Sequence, residues 1–592
     1  MAEVLRYSIK SIEMESETVE KKKLFNLLRG NFNDQQAIEE IVGIGFMTLM
    51  EKKFNLDGQL NFADHGEFND GALKLADKIQ KENGKGSEII KDIVVSGIIR
   101  YCKEANEVYN ELKNASYEEL FDLITRSLYT PETLSMAGSM HLSSSDITNL
   151  VYNLTKDRNI KTIADICSGN GNFLVEIAKK YSNISLYGKE KSYNSYLISK
   201  IRLCLINAKF QLNEGDVLST SFDRKYDLVF SNYPWNMKPT TSLVEDVNPR
   251  IRFKEIKLRS DWAFIEKAVN SFANGGRAIV LVSEGCLYNS IDQEYRKELV
   301  ENKLLEMVIA LPGGTIAGTN VNYSLLILSE ENDKVQFIDA TECYKTEKRW
   351  KSLDVESIIN KVAQKEEGFV EVESEALMKE EELNLSAPHF FQTKISVPYP
   401  KAVKEVAQTF RGYQFNPKKQ VEEEPGVGQY SILKLGNIID GEIDYKTLNS
   451  FDDPSSRADK FILKDGDVVL TCRGIGYKTA LIHDIGNNKV VPSSNLMVIR
   501  PDPEYLDPMY LNYFLNSSLG KECIKRLQTG GVIPSITKSS LDNMEIPVVD
   551  KDTQEVVIAR YQMINKKINE LHEQLTILDY KADNIITDLV GE

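Results

Sequence analysis

Residues 163–235 hold four segments, IADICSGNGNF, LYGKE, NEGDVL and YDLVFSNYPW, each closing an apolar run that reads as a strand. In the first, Thr162–Ile166 runs into Ser168, Gly169, Asn170 and Gly171 and then into the helical pattern FLVEIAKK. Glycines there let the backbone turn sharply and approach a ligand closely. About twenty residues on, the strand ISLYG ends at Glu190, a carboxylate placed to accept hydrogen bonds from both hydroxyls of a ribose. A Gly-rich turn with a distant acid also fits a dinucleotide site or a merely structural turn. Asp216, after Gly215 at the end of another strand, adds an acceptor suited to the exocyclic amine of an adenine ring. Alone, Asp216 reads equally as a turn residue.

The fourth segment bears on chemistry. Tyr226–Ser231 is a continuous apolar strand that delivers Asn232, Tyr233, Pro234 and Trp235 to the carboxyl edge of a sheet. Methylating the exocyclic amine of a base requires its lone pair to be freed from ring conjugation, which acceptors on both N–H groups achieve. The Asn232 side-chain oxygen and the Tyr233 backbone carbonyl are suitable acceptors. The Trp235 indole offers a flat apolar face for a base flipped out of its stack. Neither a metal nor a covalent nucleophile is required; positioning the amine in line with a sulfonium methyl carries the reaction.

With those residues in view, the chain resembles an amino-group DNA methyltransferase of the gamma arrangement, the modification subunit of type I restriction-modification systems. Family patterns of the kind D-P-x-C-G-S-G-x-F-L, G-x-E, G-D-x-L and N-P-P-F fall on Asp165–Leu174, Gly188–Glu190, Gly215–Leu218 and Asn232–Trp235. SDWAFIEKAV (260–269), GGRAIVLVSEGCLY (275–288), residues 304–329 and ELNLSAPHFF (382–391) resemble later segments of that family. The resemblance implies a Rossmann-like core that binds S-adenosylmethionine through Asp165, Ser168, Gly169, Gly171, Phe173, Glu190, Asp216 and Asn232. It implies that Asn232, Tyr233, Pro234 and Trp235 grip the target adenine. Two departures stand out. Tyr233 replaces a proline, keeping the carbonyl but losing the fixed φ. Where the family has an aromatic-Thr-Pro, this chain has MHLSSSDITNLV (140–151), with Ser143–Asp146 as helix caps, and an earlier YTP at 129–131.

From about residue 396 the helix-strand alternation gives way to short β segments with glycine turns, closing with LQTGGVIPSITKSSLDNMEIPVV (527–549). These stretches resemble one target recognition domain of a type I specificity subunit. Arg473, Lys478, Gln528, Thr529, Ser535, Thr537 and Lys538 are side chains of the kinds that contact phosphates and base edges, although for any one of them a solvated loop residue is the stronger reading. Arg250, Arg252, Lys254, Lys257 and Arg259, after the Asn232 loop, form a second basic stretch. Val557, Tyr561, Ile564, Ile568, Leu571, Leu575, Leu578, Ala582, Ile585 and Leu589 step by four and three, the heptad signature of a coiled coil. Specificity subunits of the family carry two recognition domains and two such helices, and this chain has one of each. The expectation is a homodimer paired through 557–589 that reads a bipartite site in double-stranded DNA; the alternative is a helix packed back on its own chain.

The reading therefore divides the chain into a helical segment (1–135), an α/β methyltransferase core (136–395), a β-rich recognition domain (396–549) and a long C-terminal helix (550–592). Seven scattered cysteines suggest neither a disulfide framework nor a zinc site. The lack of a charged-then-apolar leader or a long apolar run predicts a cytoplasmic protein without a membrane span. A net charge of −16 argues against loose nucleic-acid binding, though acidic stretches such as 364–382 carry much of it. Neither a nuclease constellation nor a P-loop is evident, so the chain is expected to modify DNA, and any cutting falls to a partner restriction or translocase subunit. Two other readings stay open: a DNA-binding protein with a methylase silenced by Tyr233, and an amino methyltransferase acting on cytosine N4 or a non-DNA acceptor.

Overall fold

The structure, a computed structural model, describes residues 21–590 apart from 57–59, 83–85, 101, 131–142, 221–223, 236, 238–243, 245, 247, 254–260, 317–318, 348–349, 366, 381, 392–395, 416–421, 440, 475 and 529–534. The chain forms two compact units, Met1–Phe391 and Gln392–Glu592.

The first unit begins with six helices: α1 (Lys21–Leu28), α2 (Asp34–Lys53), α3 (His65–Lys81), α4 (Ser87–Ser96), α5 (Lys103–Leu112) and α6 (Tyr117–Thr125). Reciprocal capping boxes start α2 (Asn33 with Gln36) and α6 (Ser116 with Glu119), satisfying amides the helices leave open. Buried along most of its length, α2 shows a near-continuous apolar run instead of a stripe. Its buried Glu40 accepts the Arg100 backbone N–H, and burial pushes that carboxyl up to about 8.

Next come α7 (Ser145–Thr155), β1 (Thr162–Asp165), α8 (Asn172–Ala178), β2 (Ser185–Glu190), α9 (Tyr193–Leu205), β3 (Phe210–Glu214), β4 (Tyr226–Ser231), α10 (Asp261–Ser271) and β5 (Phe272–Ser283). The sheet is completed by β6 (Leu305–Leu311), β7 (Tyr323–Leu328), β8 (Lys334–Asp339) and, after a separate hairpin β9 (Tyr344–Glu347) and β10 (Trp350–Leu353), β11 (Phe369–Glu373). Among the described residues this is one nine-stranded sheet of order β11-β8-β6-β7-β5-β4-β1-β2-β3. The run from β3 to β5 is parallel, and β7 lies antiparallel between β5 and β6. Strand β4 is buried on both faces along Leu228–Phe230, with Leu228 and Phe230 in one core and Val229 in the other, as that apolar run requires. Helix α9 has two buried sides: Leu197, Ile198 and Ile201 join the core of the N-terminal helices, and Leu203 joins the sheet core. The helical segment and the sheet therefore share an element within one unit.

The second unit is built on a four-stranded antiparallel sheet of Ala407–Arg411, Leu496–Pro501, Val468–Thr471 and Thr479–Leu481, with a smaller three-stranded sheet alongside. Pro508–Asn516 (α11) and Ser518–Leu527 (α12) pack near it, and Lys551–Val590 (α13) closes the chain as a helix of 40 residues. The base of α13 is anchored: Gln554 is fully buried, accepting the Asp507 N–H and donating to Tyr505 and Val549 carbonyls, and Tyr561 stacks on Tyr513 at 3.9 Å. Farther along, Ile564, Ile568, Leu571, Leu575, Leu578 and Ile585 are all exposed. No helix among the described residues is long and apolar enough to cross a membrane.

Fully buried Arg296 ties the closing segment down, donating to the carbonyls of Leu383, Glu382, Cys286 and Asn289 at 2.7–3.1 Å. Arg296→Leu strands these acceptors, and we expect it to destabilise the first unit by roughly 3 kcal/mol or more. Urea unfolding followed by tryptophan fluorescence checks this.

Candidate active site at the carboxyl edge of the sheet

Strand β1 pairs on one side with β2 (Asp165 opposite Gly188) and on the other with β4 (Asp165 opposite Phe230), so the turns after all three leave at one edge. After Asp165 the chain turns through Cys167–Gly171 into α8, with Gly169 at φ +50° and Gly171 at +77°, conformations that favour glycine. At Gly171 space is also needed, since a Cβ would lie 2.4 Å from Ser199 Oγ on α9. The Gly169 N–H donates to Glu190 Oε2 and the Ser192 N–H to Oε1, both at 2.8 Å, while the Ser168 N–H donates to the Lys189 carbonyl. Glu190 thus stands against the glycine turn, with further lone pairs on each oxygen able to accept from a ligand. Asp216 caps the turn after β3 through the Leu218 N–H and pairs with Lys191 at 3.0 Å.

Asp165 is buried and accepts the Cys167 N–H at 3.1 Å; burial first, then the nearby charge of Glu190, pushes its carboxyl up to about 8. A cavity of about 340 Å³ runs beside it, lined in part by Gly188, Lys189, Asn213, Arg224 and Tyr226. Phe173 is a core residue. Its ring is 1% exposed and stacks on Phe230 at 3.9 Å, so it supports the glycine turn from within the core.

At the end of β4 the Asn232 Nδ2 donates to Ser143 Oγ at 3.1 Å, and neighbouring Ser144 caps α7 through the Ile147 N–H. Sequence reasoning took Ser143 only as a cap, because a bond between residues 89 positions apart leaves no local signal. The Tyr233 ring points into the core and stacks on Phe264 at 4.7 Å with a 7° interplanar angle. Burial, with Cys286 and Asp261 nearby, raises its phenol well above the ordinary range. Pro234 is exposed. Trp235 is half-buried: its Nε1 donates to the Leu281 carbonyl at 3.1 Å and its ring sits 5.8 Å from that of Tyr323, whose hydroxyl bonds Thr315. Downstream the chain is stitched back to the sheet. Buried Lys267 on α10 bonds Asp246 Oδ1 at 3.1 Å and the Thr220 carbonyl at 2.9 Å, and the Val244 N–H donates to Leu218.

Residues 124–396 match the family model for N-6 DNA methylases, and residues 400–578 match that for the type I restriction modification DNA specificity domain. The chain joins an N-6 DNA methylase domain to a type I specificity domain. Relatives include the type I restriction enzyme MpnII methylase subunit of Mycoplasma pneumoniae, 25% identical over 325 residues, 49% of this chain and 57% of the relative. The MjaVII methylase subunit of Methanocaldococcus jannaschii is 25% identical over 300 residues, 45% of this chain and 52% of the relative. The chain thus spans little more than half the length of these curated relatives. A type I methyltransferase subunit of known structure from Streptococcus thermophilus, 16% identical, aligns over 62% of this chain and 98% of that one with a TM-score of 0.46.

The basic residues expected to face DNA are placed unevenly. In the methylase domain Arg250 is taken up by its own fold: it pairs with Glu330 at 2.7 Å, bonds Asn274 and the Phe272 carbonyl, and lies over the Phe272 ring. Arg252 is exposed, and Lys254, Lys257 and Arg259 lie outside the described residues. In the specificity domain Lys478 bonds the carbonyls of Leu435 and Ile438, and Thr537 caps the helix Lys538–Asp542. Arg473 is exposed and bridges through its backbone to Ser535, and exposed Lys538 pairs with Asp542. Gln528 is half-buried, and Thr529 lies outside the described residues.

The raised Asp165 carboxyl gives a signed pH prediction. Its stabilising contribution is full below its ordinary value near 3.8 and is lost as pH climbs through about 8. Asp165→Asn escapes that loss, so its melting temperature should gain on the wild type from about pH 5 to about pH 8.5. A difference independent of pH in a thermal-shift series contradicts the assignment.

Proposed function

We propose that the chain transfers the methyl group of S-adenosylmethionine to the N6 amine of adenine in a DNA site read by its own specificity domain. The observation that carries this reading is the placement of Asn232: its Nδ2 is engaged by Ser143, an orientation suited to presenting Oδ1 as an acceptor, beside a glycine turn backed by Glu190. The bound cofactor supplies an electrophilic methyl on sulfur. Glu190 would accept from its ribose and Asp216 from its adenine amine, while Gly169 and Gly171 let the backbone approach. Asn232 Oδ1 and the Tyr233 carbonyl would each accept one N–H of the target amine, localising the nitrogen lone pair toward the methyl and easing later loss of a proton to water. Trp235, tethered through its indole N–H, would stack the extruded base.

Tyr233 favours an active loop over a silent one. Its ring occupies the core against Phe264, so packing restrains the loop where the family's proline restrains φ, and the ring leaves the acceptor edge clear. Arg252, Arg473 and Lys538 are exposed and better placed for phosphates than Arg250, while the ammonium of Lys478, also exposed, rests on the Leu435 and Ile438 carbonyls. We further read the exposed stripe of α13 as the dimer seam: over 40 residues it spans roughly 60 Å, and pairing two copies buries Ile564–Ile585 and sets two specificity domains on a two-fold related, bipartite site. A restriction or translocase subunit would be a further partner.

Single-molecule sequencing with modified-base detection on DNA from cells expressing the chain tests the reaction. N6-methyladenine at one motif is expected, with Asn232→Ala lowering turnover by roughly two orders of magnitude while DNA binding persists; equal modification by the variant overturns the role of Asn232. For the seam, Leu571→Lys with Leu575→Lys should halve the mass in light scattering, and an unchanged mass removes the dimer.

A further inference from the structure

Arg202, on α9, belongs to no motif of the sequence, yet it is 1% exposed and sits between the N-terminal helices and the glycine turn. Its Nη1 donates to the Asn170 carbonyl at 2.6 Å and to Asn172 Oδ1 at 2.5 Å, and its Nη2 donates to the Thr125 carbonyl at 3.1 Å, at the end of α6. The guanidinium lies 3.6 Å over the ring of Tyr129, in the turn that follows α6. Among the described residues it makes no ion pair; burial lowers its proton affinity, with Tyr129 and the charge of Glu176 acting the other way, and its donors face carbonyls, one of them at the C-terminal end of α6.

A buried cation without a carboxylate is an expensive way to join two segments, since an apolar side chain of similar volume packs without that desolvation. What an apolar side chain lacks is directed donors. Asn170 stands at the apex of the turn between two glycines of positive φ, and among the described residues neither Nδ2 nor Oδ1 of its buried side chain has a hydrogen-bond partner. The apex is therefore held through its carbonyl, by Arg202. The same turn presents the Gly169 N–H to Glu190.

We infer that Arg202 is a positioning residue for the cofactor turn, making its binding-competent shape depend on the docked α6–Tyr129 segment. This rests on the reading of the turn as the S-adenosylmethionine site. Arg202 acts through Asn170 and Asn172 and need not touch the ligand. The α6 segment is then part of the cofactor site's scaffold, and a change that loosens it is felt as lost affinity.

The test is calorimetric titration of the full chain with S-adenosylhomocysteine, with hydrogen exchange read on the same proteins. Arg202→Met should weaken binding tenfold or more and speed exchange at residues 167–172 and 125–129, with β4 and β5 amides unchanged. In turnover assays KM for the cofactor should rise while kcat stays within about twofold. Arg202→Lys should recover part of the affinity, and Tyr129→Phe, which keeps the ring, should bind within threefold of wild type. A folded Arg202→Met that binds within twofold of wild type and exchanges no faster at the turn overturns the inference. If that variant does not fold, Tyr129→Leu carries the test: threefold or weaker binding with faster turn exchange supports the inference, and unchanged values overturn it. Glu190→Gln separates the premises. A wild type that fails to bind, or a Glu190→Gln that binds as tightly as wild type, removes the site reading itself.

Discussion

The pairing of β1 with both β2 and β4 is the constraint on which the rest of the first unit depends. Strand order reverses there, with β2 and β3 running one way across the sheet and β4 and β5 the other, the kind of point at whose carboxyl edge open α/β sheets form ligand crevices. Because Asp165 lies opposite Gly188 on one side and Phe230 on the other, the glycine turn, Glu190 and Asn232 all leave the sheet within one or two residues of the same level. A one-residue slip of β4 would turn Val229 to the other face and carry Asn232 away from Ser143. The alternation of Leu228, Val229 and Phe230 between two cores resists that slip.

Around this edge the irregular segments are held by buried cations that donate to backbone carbonyls. Arg202 holds the glycine turn, Lys267 holds the chain returning from the Asn232 loop, and Arg296 holds the closing segment around Leu383. Loops expose backbone acceptors that a sheet or helix would satisfy internally, and a long cationic side chain rooted in a helix can satisfy several at once. Each such residue costs desolvation, which the fixed loop conformation offsets.

What the sequence disclosed follows from how far each feature reaches along the chain. The placement of the glycine turn, Glu190, Asp216 and Asn232 at strand ends was legible because each closes a short run of strand character, and the heptads of α13 because their period is local. The N-6 methylase and specificity domains were legible through those same motifs. Arg202 and Ser143 were not, since their partners lie 32 and 89 residues away and an isolated Arg or Ser carries no period. The packing of Phe173 was not legible, because position in a motif does not say which way a ring turns; it stacks on Phe230. Arg250 reads as basic surface, but Glu330 and the Phe272 carbonyl occupy it; Lys478 is exposed, with its ammonium on the Leu435 and Ile438 carbonyls. The direction of the Tyr233 ring was likewise not legible; it stacks on Phe264 in the core.

The central claim is that the edge of β1, β2 and β3 is the cofactor site. Diffraction from crystals of the full chain grown with S-adenosylhomocysteine tests it most directly. The account predicts ligand density against Gly169–Gly171, with ribose hydroxyls on Glu190 and the adenine amine near Asp216. Ordered ligand elsewhere on the chain, with that edge unchanged, would contradict it.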